Sequence, residues 1–494
     1  MTINPVPAGE LALLLNAAGA QRANGWALEA VPGKASSSMR GSAGGPFDVL
    51  DVVGVGFGPA NIALAIALEE MWPSARVRFL EANPGPAWQP AMMLDGADIQ
   101  NNPMRDLVTP RNPRSRYTFI NYLHEQGRLF KYLNLPGHFP LRKEYAKYIE
   151  WVAEHVHADV HYGQKVVHIG LAEVNGERVI RVHTATGASY YGRSIVVAPG
   201  RTPYIPEVFG ELSAPLVYHT SRYLHAVAGL PHHWSGSIAV VGASQSAAEV
   251  MLDLMNRVPA ARLVNVMSSF GYRLKDTSPF SEEVYFPEFV NYYFNASAEG
   301  KERLRAQLRP TNYSAADRDV IDALYSRLYE QDLDGRRVVT LKTNRQITAA
   351  EARHGQVILS TREHITGATE QLTLDLVILA TGYRDLGVQG RTEQLPPLLK
   401  DLADVLDVDN TTGLRVGFDY CAEPRSADSK LPPIFINGLC ESTHGLGDAG
   451  SFSLLALRSQ AIVQGLCRRL TDLTTELPTW VGESNADART FSGR

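Results

Sequence analysis

The sequence of 494 residues has few cysteines and no long apolar run. Its three cysteines, Cys421, Cys440 and Cys467, include no C-x-x-C pair, which argues against a disulfide framework, a zinc site and a redox dithiol. We therefore expect no metal centre. No run of about 18 apolar residues is present, so we expect no membrane-spanning helix. The N-terminus lacks the basic region and apolar core of a signal peptide, which predicts a cytoplasmic protein.

Strong charge of either sign is also lacking. The formal net charge is -5 at pH 7, which indicates neither a nucleic-acid partner nor a membrane-surface partner. The apolar and charged fractions are ordinary for a globular protein, and a chain of this length predicts two or three domains.

What the sequence does contain is a glycine turn between an apolar strand, predicted at 47–53, and a helix that follows. Glycines let a backbone approach a pyrophosphate closely, and the free N–H groups at a helix start favour its negative charge. Glu81, at the end of the next predicted strand, is placed to bond a ribose hydroxyl. The expected cofactor contacts in and after the turn are Gly54, Gly56, Gly58, Pro59 (where the third glycine of the common motif usually stands) and Asn61.

A second strand, turn and helix begin at Ser237. The turn again uses small residues, so it predicts a second phosphate site. The residues assigned to that site are Gly242, Ser244, Gln245 and Ser246.

The strand after the second turn ends in a basic run. Ser268, Arg273 and Lys275 follow it, and no acid occurs before Asp276. The 2′-phosphate of NADP requires cations and hydroxyls at this strand end, whereas NAD requires an acid. The first site has an acid at its strand end and the second has cations. We therefore predict that they bind two different dinucleotides, FAD and NADPH.

Three other segments carry candidate cofactor contacts. A buried strand predicted at 374–380 ends in a turn with Thr381, Gly382 and Tyr383. Trp88 opens a long loop rich in proline and asparagine, and such loops are more often functional than idle. Ser453 ends a glycine-rich turn that leads into a helix, which is a further candidate site for an anion or a carbonyl group.

These patterns predict an α/β fold with two Rossmann-like dinucleotide-binding domains, for FAD and NADPH, and a smaller, mainly helical substrate part. The same patterns predict five segments along the chain. They are an N-terminal extension, partly flexible (1–46), the first part of the FAD domain (47–215), the NADPH domain with substrate-contacting helices (216–370), the second part of the FAD domain with a substrate lid (371–475), and a loose tail (476–494).

The order of several motifs resembles the flavin-dependent N-hydroxylating monooxygenases, the ornithine and lysine N-monooxygenases of siderophore biosynthesis. The resemblance covers residues 47–470 and rests on motifs taken together at their spacings. These are Gly-Val-Gly-Phe-Gly-Pro-Ala-Asn, Arg-Asp-Leu-Val-Thr-Pro-Arg-Asn-Pro, Gln-Ser-Ala-Ala-Glu, Ser-Pro-Phe, Thr-Asn-Tyr, Ala-Thr-Gly-Tyr and Thr-His-Gly-Leu.

The resemblance implies N-hydroxylation of a primary side-chain amine of an ornithine- or lysine-like amino acid. NADPH would reduce the flavin, and O2 would then form the C4a-hydroperoxyflavin that the amine attacks. The partners it implies are the small amine and O2, and we also expect a homo-oligomer. The chemistry would belong mainly to the cofactor, while the protein orients the amine and keeps the pocket dry.

Site residues follow from the resemblance position by position. Gln100 matches a glutamine beside the flavin ring, and we assign it and Asn312 to catalysis. Arg105 stands where ornithine enzymes have a substrate-contacting lysine, Asn312 matches a substrate asparagine, and Ser453 matches a serine near flavin and substrate. Glu282 departs from the family pattern, because ornithine enzymes carry a second substrate asparagine there.

Two alternatives remain open at this point. Glu282 is expected either to hold a second cation on the substrate or to pair with Arg105, and the latter would suit a diamine such as putrescine or cadaverine. Arginine is another candidate substrate. A non-enzymatic flavin-binding regulator is the alternative from another class, but such a protein could give up the NADPH elements, which this sequence retains.

Overall fold

The computed structural model describes residues 48–471, except 138, 389, 428 and 429. These residues belong to one compact unit. The N-terminal extension predicted at residues 1–46 and the tail predicted at residues 476–494 lie outside the described residues. No helix in the described part of the chain is long and apolar enough to cross a membrane.

The first sheet has seven strands in the order β3-β2-β1-β6-β5-β4, and β19 also pairs with β6. β1, β2, β3, β6 and β19 run parallel, whereas β4 and β5 form an antiparallel extension on β6. Its strands are β1 (Val49–Val55), β2 (Val77–Leu80), β3 (Asp159–His161), β4 (Val166–Val174), β5 (Glu177–Thr184), β6 (Ser189–Val197) and β19 (Ile434–Ile436).

The second sheet is built from residues between β6 and β19, so it is inserted into the first. It has five parallel strands in the order β10-β9-β8-β14-β7. Its strands are β7 (Val217–His219), β8 (Ser237–Val241), β9 (Arg262–Val266), β10 (Val339–Lys342) and β14 (Leu376–Leu379).

The predicted domain boundary at residue 370 is too early. β14 pairs with β7 and β8 of the second sheet, although the sequence analysis placed it in the second part of the FAD domain. All four residues of β14 are buried. A short apolar run of this kind fits the centre of either sheet, so its own residues do not say which sheet it joins.

Three smaller sheets complete the strands. An antiparallel sheet contains β11 (Arg345–Arg353), β12 (Gln356–Glu363) and β13 (Thr369–Leu374), and two strand pairs contain β15 (Asp385–Leu386) with β16 (Thr392–Glu393) and β17 (Val408–Asp409) with β18 (Gly413–Leu414).

The helices flank these sheets. Three of them lie between β9 and β10 in the chain, where the sequence analysis placed the helical substrate part. In chain order the α-helices are Pro59–Met71, Phe119–Glu125, Leu129–Leu133, Arg142–His155, Tyr223–Val227, Gln245–Arg257, Pro287–Phe294, Ala298–Leu308, Arg318–Leu333, Glu441–His444 and Leu455–Leu470.

The core of the first sheet depends on β1 and the helix that follows it. β1 is rich in valine, a β-branched residue that favours strands, and its last four residues are buried. Pro59 occupies the first turn of the helix Pro59–Met71, where its missing N–H costs no hydrogen bond. The helix Leu455–Leu470 packs against it. The carboxyl end of β1 is therefore held between sheet and helices.

Candidate functional site

The glycine turn after β1 has one position that requires glycine and one that faces open space. Gly56 has φ +83°, and a Cβ there would lie 2.3 Å from the carbonyl oxygen of Ala198. Gly58 has an ordinary φ of -84°, and no atom lies within 4 Å of the Cβ it would carry. Gly58 also begins the helix without a side-chain cap, so the N–H groups of the first turn are open to a ligand.

Gly54 serves packing within the sheet. A Cβ there would lie 2.2 Å from the ring of Phe79 on β2. The aromatic ring leaves no room for a larger residue at this position, and a contact between Gly54 and the cofactor stays a prediction.

The Glu81 carboxylate ties the end of β2 to the glycine turn. It accepts hydrogen bonds from the backbone N–H of Phe57 at 2.7 Å and from the backbone and side-chain N–H groups of Asn83 at 2.8 and 2.7 Å. A carboxylate has about four acceptor positions, so roughly one is left for a ribose hydroxyl.

The Asn61 side chain faces the core, so its assignment as a cofactor contact gains no support and stays a prediction. Its side chain is fully buried, and its amide donates to the carbonyl oxygens of Val55 and Gly56 at 3.2 and 2.7 Å. Its Oδ1 accepts from Asn437, which in turn accepts from Arg458. Asn61 therefore holds the shape of the glycine turn from within the core.

A small cavity of about 240 Å³ brings together most of the predicted substrate residues. Trp88, Gln100, Arg105, Glu282 and Asn312 all line it. Gln100 has φ +52°, and its Nε2 is buried without a hydrogen-bond partner among the described residues. A buried amide of this kind is costly unless a ligand or water satisfies it.

The polar groups of the small cavity are only loosely paired. The Nη2 of Arg105 lies 3.8 Å from the Oε2 of Glu282, and its guanidinium stands over the ring of Tyr285. The Nδ2 of Asn312 donates to the carbonyl oxygen of Leu446 at 3.1 Å, which leaves its second N–H and its oxygen available.

Two predicted site residues lie differently from their assignments at this cavity. Lys275, expected at the NADPH 2′-phosphate, lines the small cavity instead. Ser453 is buried behind the wall, where it donates to Asn101 and accepts from Ser451, and Ser451 supplies the lining hydroxyl. A contact between Ser453 and a ligand stays a prediction.

A large cleft of about 1880 Å³ lies at the carboxyl ends of β8, β9 and β14, where open parallel sheets bind ligands. Gly242 has φ +139°, and a Cβ there would lie 2.4 Å from the carbonyl oxygen of Ala380. Ser244 begins the helix Gln245–Arg257 without a side-chain cap bond. The cleft is also lined by Ser268, Arg273, Thr381, Gly382 and Tyr383, as predicted for cofactor contacts.

Gln245 and Ser246 are not among the described residues that line the cleft, and their assignment as cofactor contacts stays a prediction. The amide of Gln245 donates to Glu249 at 3.0 Å and its oxygen accepts from the backbone N–H of Asp317 at 2.8 Å. Gln245 therefore joins its helix to the segment that precedes the helix Arg318–Leu333.

Two arginines that the sequence analysis missed also line the large cleft. Arg345 begins β11, just after β10, and its Nε and Nη1 are buried without partners among the described residues. Arg201 follows β6, and its Nε is likewise unpartnered. A basic residue just past the carboxyl end of a parallel strand was the available signal in both cases.

A buried polar cluster stands between Asn312 and the large cleft. Tyr313 lines the cleft, donates to Glu441 at 2.5 Å and accepts from Arg201 at 3.0 Å. Burial raises the pKa of Glu441 to about 8, since nearby Asp385 adds to the burial effect and Arg201 offsets only part of it. Burial therefore favours the protonated form of the Glu441 carboxyl group.

Comparison with known proteins gives a consistent result. Residues 48–385 match the family model described as L-lysine 6-monooxygenase/L-ornithine 5-monooxygenase. The L-ornithine N(5)-monooxygenase of Burkholderia cepacia is 36% identical over 409 residues, which cover 80% of this chain and 90% of that protein.

Two solved structures share the fold over their full length. The ornithine hydroxylase PvdA from Pseudomonas aeruginosa has a TM-score of 0.78 and 32% identity, and the match covers 86% of this chain and all of that one. The ornithine N-hydroxylase KtzI from Kutzneria sp. 744, described with reduced FAD, NADP+ and L-ornithine, has a TM-score of 0.78 and 31% identity over 85% of this chain and all of that one.

Proposed function

The chain belongs to the L-lysine 6-monooxygenase/L-ornithine 5-monooxygenase family, and we propose that it is an FAD- and NADPH-dependent monooxygenase that N-hydroxylates the side-chain amine of an ornithine- or lysine-like amino acid. The observation that carries the proposal is the small cavity, where Gln100, Arg105 and Asn312 meet. KtzI, which has the same fold, is described with the two cofactors and an amino-acid substrate.

FAD fits the seven-stranded sheet. The open space at Gly58 and the uncapped helix start suit a pyrophosphate, and Glu81 retains an acceptor position for the ribose. The unpartnered Nε2 of Gln100, together with Trp88 in the same cavity wall, suits the polar edge and the face of the flavin ring.

NADPH fits the large cleft of the five-stranded sheet. Gly242 and Ser244 supply the phosphate turn. Ser268, Arg273 and Arg345 supply a hydroxyl and two guanidinium groups for the 2′-phosphate, and Arg345 has two buried nitrogen atoms without partners to offer.

FAD reduced by NADPH would supply the oxygen activation, and the residues of the chain would position the amine and exclude water. The amine must be neutral to react, whereas a free alkylamine has a pKa of about 10.4. A carboxylate beside it would raise that pKa further. Asn312 is uncharged and therefore suited to hold the reacting amine, while Glu282 suits a second, unreactive ammonium group.

A diamine is the second candidate substrate, because Arg105 already has a carboxylate partner 3.8 Å away. If Glu282 neutralises Arg105 completely, the cavity has no need of a substrate carboxylate at that position.

The proposal is tested with FAD-loaded protein and NADPH against ornithine, lysine, arginine, putrescine and cadaverine. We expect amine-dependent NADPH oxidation and a product one oxygen atom heavier with ornithine or lysine. Hydroxylation of the diamines alone would make the second candidate correct, and a protein that binds FAD but hydroxylates none of the five would contradict the proposal.

A cytoplasmic location and a homo-oligomeric state remain predictions. The first is supported by three buried cysteines that are all free thiols, as expected in a reducing compartment.

A further inference from the structure

Lys275 lines a different cavity from the one that its sequence-based assignment predicts. Its backbone N–H donates to the carbonyl oxygen of Ala316 at 2.9 Å, and an isolated bridge joins Leu274 to the same residue. These contacts tie the segment to the residues that precede the helix Arg318–Leu333. The Lys275 side chain lines the small cavity, whereas Arg273, two residues earlier, lines the large cleft.

The ammonium of Lys275 is nearly buried and poorly satisfied. Its side chain is 12% exposed, and its nearest anionic contact is the Oδ1 of Asp317 at 3.9 Å. The described residues provide no hydrogen bond to its Nζ. An ammonium group has three donors, and leaving them unused in a secluded site is costly.

Arg105 and Glu282 are also poorly satisfied by protein groups, although their side chains are more exposed, at 27% and 34%. Their 3.8 Å contact is too long for a hydrogen bond, and neither side chain makes one to any other described residue. Two poorly paired cations and one carboxylate thus face a cavity of about 240 Å³, whereas Arg142 in the same wall is paired with Glu249. The complementary ligand has an anionic group and a cationic group near each other.

We propose that Lys275 is a second specificity-determining cation of the substrate site, so that the substrate carboxylate is held by Arg105 and Lys275 while Glu282 binds the α-ammonium. This inference rests on the proposed N-hydroxylation function and makes its substrate a zwitterionic amino acid. A diamine would bring no anion to the two cations, so the nearly buried ammonium of Lys275 would gain no charged partner.

The test separates an amino-acid contact from an NADPH contact by comparing two variants of the FAD-loaded enzyme. Lys275→Met should raise KM for the preferred amino acid about tenfold or more, since a charge-assisted hydrogen bond is lost, and leave KM for NADPH within about twofold. Arg273→Met, in the large cleft, should do the reverse. Lys275→Arg should restore most of the amino-acid affinity, because it keeps the charge.

A second readout uses binding without turnover. Titration calorimetry of the oxidised holoenzyme should show that Lys275→Met loses the preference for ornithine over putrescine, its decarboxylated analogue. If the single variant folds poorly because Asp317 loses its partner, Lys275→Gln combined with Asp317→Asn removes both charges together. The same loss of preference is expected there.

Three results would overturn the inference. An unchanged amino-acid KM with unchanged discrimination means that Lys275 does not touch the substrate. A rise in KM for NADPH alone would show that Lys275 contacts the nucleotide and not the amino acid. A wild-type enzyme that hydroxylates amines but prefers putrescine would exclude the zwitterion while leaving N-hydroxylation intact, whereas failure of the wild type with every amine would contradict the proposed function itself.

Discussion

Arg458 and Asp448 form an ion pair that is sealed from solvent. Their side chains are 1% and 0% exposed, and the Nη1 of Arg458 lies 2.8 Å from the Oδ1 of Asp448. Through Asn437 and Asn61, Arg458 is also linked to the carbonyl oxygen of Gly56. The pair therefore joins the C-terminal glycine-rich turn to the turn that we assign to the FAD pyrophosphate.

Arg458→Met is expected to lower the free energy of unfolding by about 3–5 kcal/mol, because it leaves the Asp448 carboxylate buried and unpaired. Arg336→Met is the matched control, since Arg336 is 74% exposed in its pair with Asp334 and should contribute less than about 1 kcal/mol. Urea unfolding of both variants measures the difference. Equal losses in the two variants would mean that burial does not set the strength of the Arg458 pair.

Gly58→Val is expected to give a folded protein that has lost most of its FAD. Its φ of -84° suits any residue, and the added side chain would enter the open space assigned to the pyrophosphate. Gly56→Ala should instead lower the melting temperature, because its φ is +83° and its Cβ would meet Ala198. Visible flavin absorbance and thermal unfolding of each purified variant distinguish the two effects. If folded Gly58→Val kept its full flavin content, the assignment of the pyrophosphate to the space beside Gly58 would be wrong.

Arg345→Met is expected to reduce the preference for NADPH over NADH about 10- to 100-fold in kcat/KM, which corresponds to the loss of a charge-assisted hydrogen bond. Glu370 would keep a partner in this variant, since Lys342 lies 2.6 Å away. Arg353→Met, at the exposed end of β11, serves as the control and should leave the preference unchanged. Steady-state rates with NADPH and NADH measure this preference. An equal proportional loss of kcat/KM with both would mean that Arg345 binds a phosphate that the two nucleotides share.

Glu441→Gln is expected to change how stability depends on pH. Between about pH 4.5 and 8 the folded protein keeps a proton on Glu441 that the unfolded chain has released, because the pKa is raised from 4.5 to about 8. Each rise in pH across this window therefore lowers the free energy of unfolding. Glutamine removes that dependence, so the stability of the variant relative to wild type should increase from about pH 5 to about pH 8. Parallel stability curves for the two proteins would show that Glu441 is ionised throughout the range.

Features set by neighbouring residues were predictable from the sequence. The glycine turn, the helix after it and Glu81 at the end of β2 follow local patterns of spacing and hydrophobicity, and the structure has all three. The α/β fold with two nucleotide-binding sheets was also predicted correctly, because each sheet begins with such a local unit.

Features set by distant residues were not predictable in the same way. Lys275 and Arg273 are two residues apart in the chain, and only the pairing of their segment with Ala316 sends the two side chains to different cavities. β14 is apolar enough for either sheet. Asn61 stands in the predicted turn, but its partner Asn437 is contributed by the end of β19 and turns its amide into the core.

The return of the chain at β19 determines when the first sheet can be completed during synthesis. β6 pairs with β19 through Ile195, Val196 and Val197, yet β19 can emerge from the ribosome only after residues 198–433 have emerged. Until then this stretch of β6 is an uncovered apolar strand edge, the kind of surface on which chains aggregate. A fragment that ends before residue 434 would contain the glycine turn and the inserted sheet, but this edge of β6 would stay unpaired. The pairing of β19 with β6 thus protects this edge of the newly made protein from aggregation with other chains.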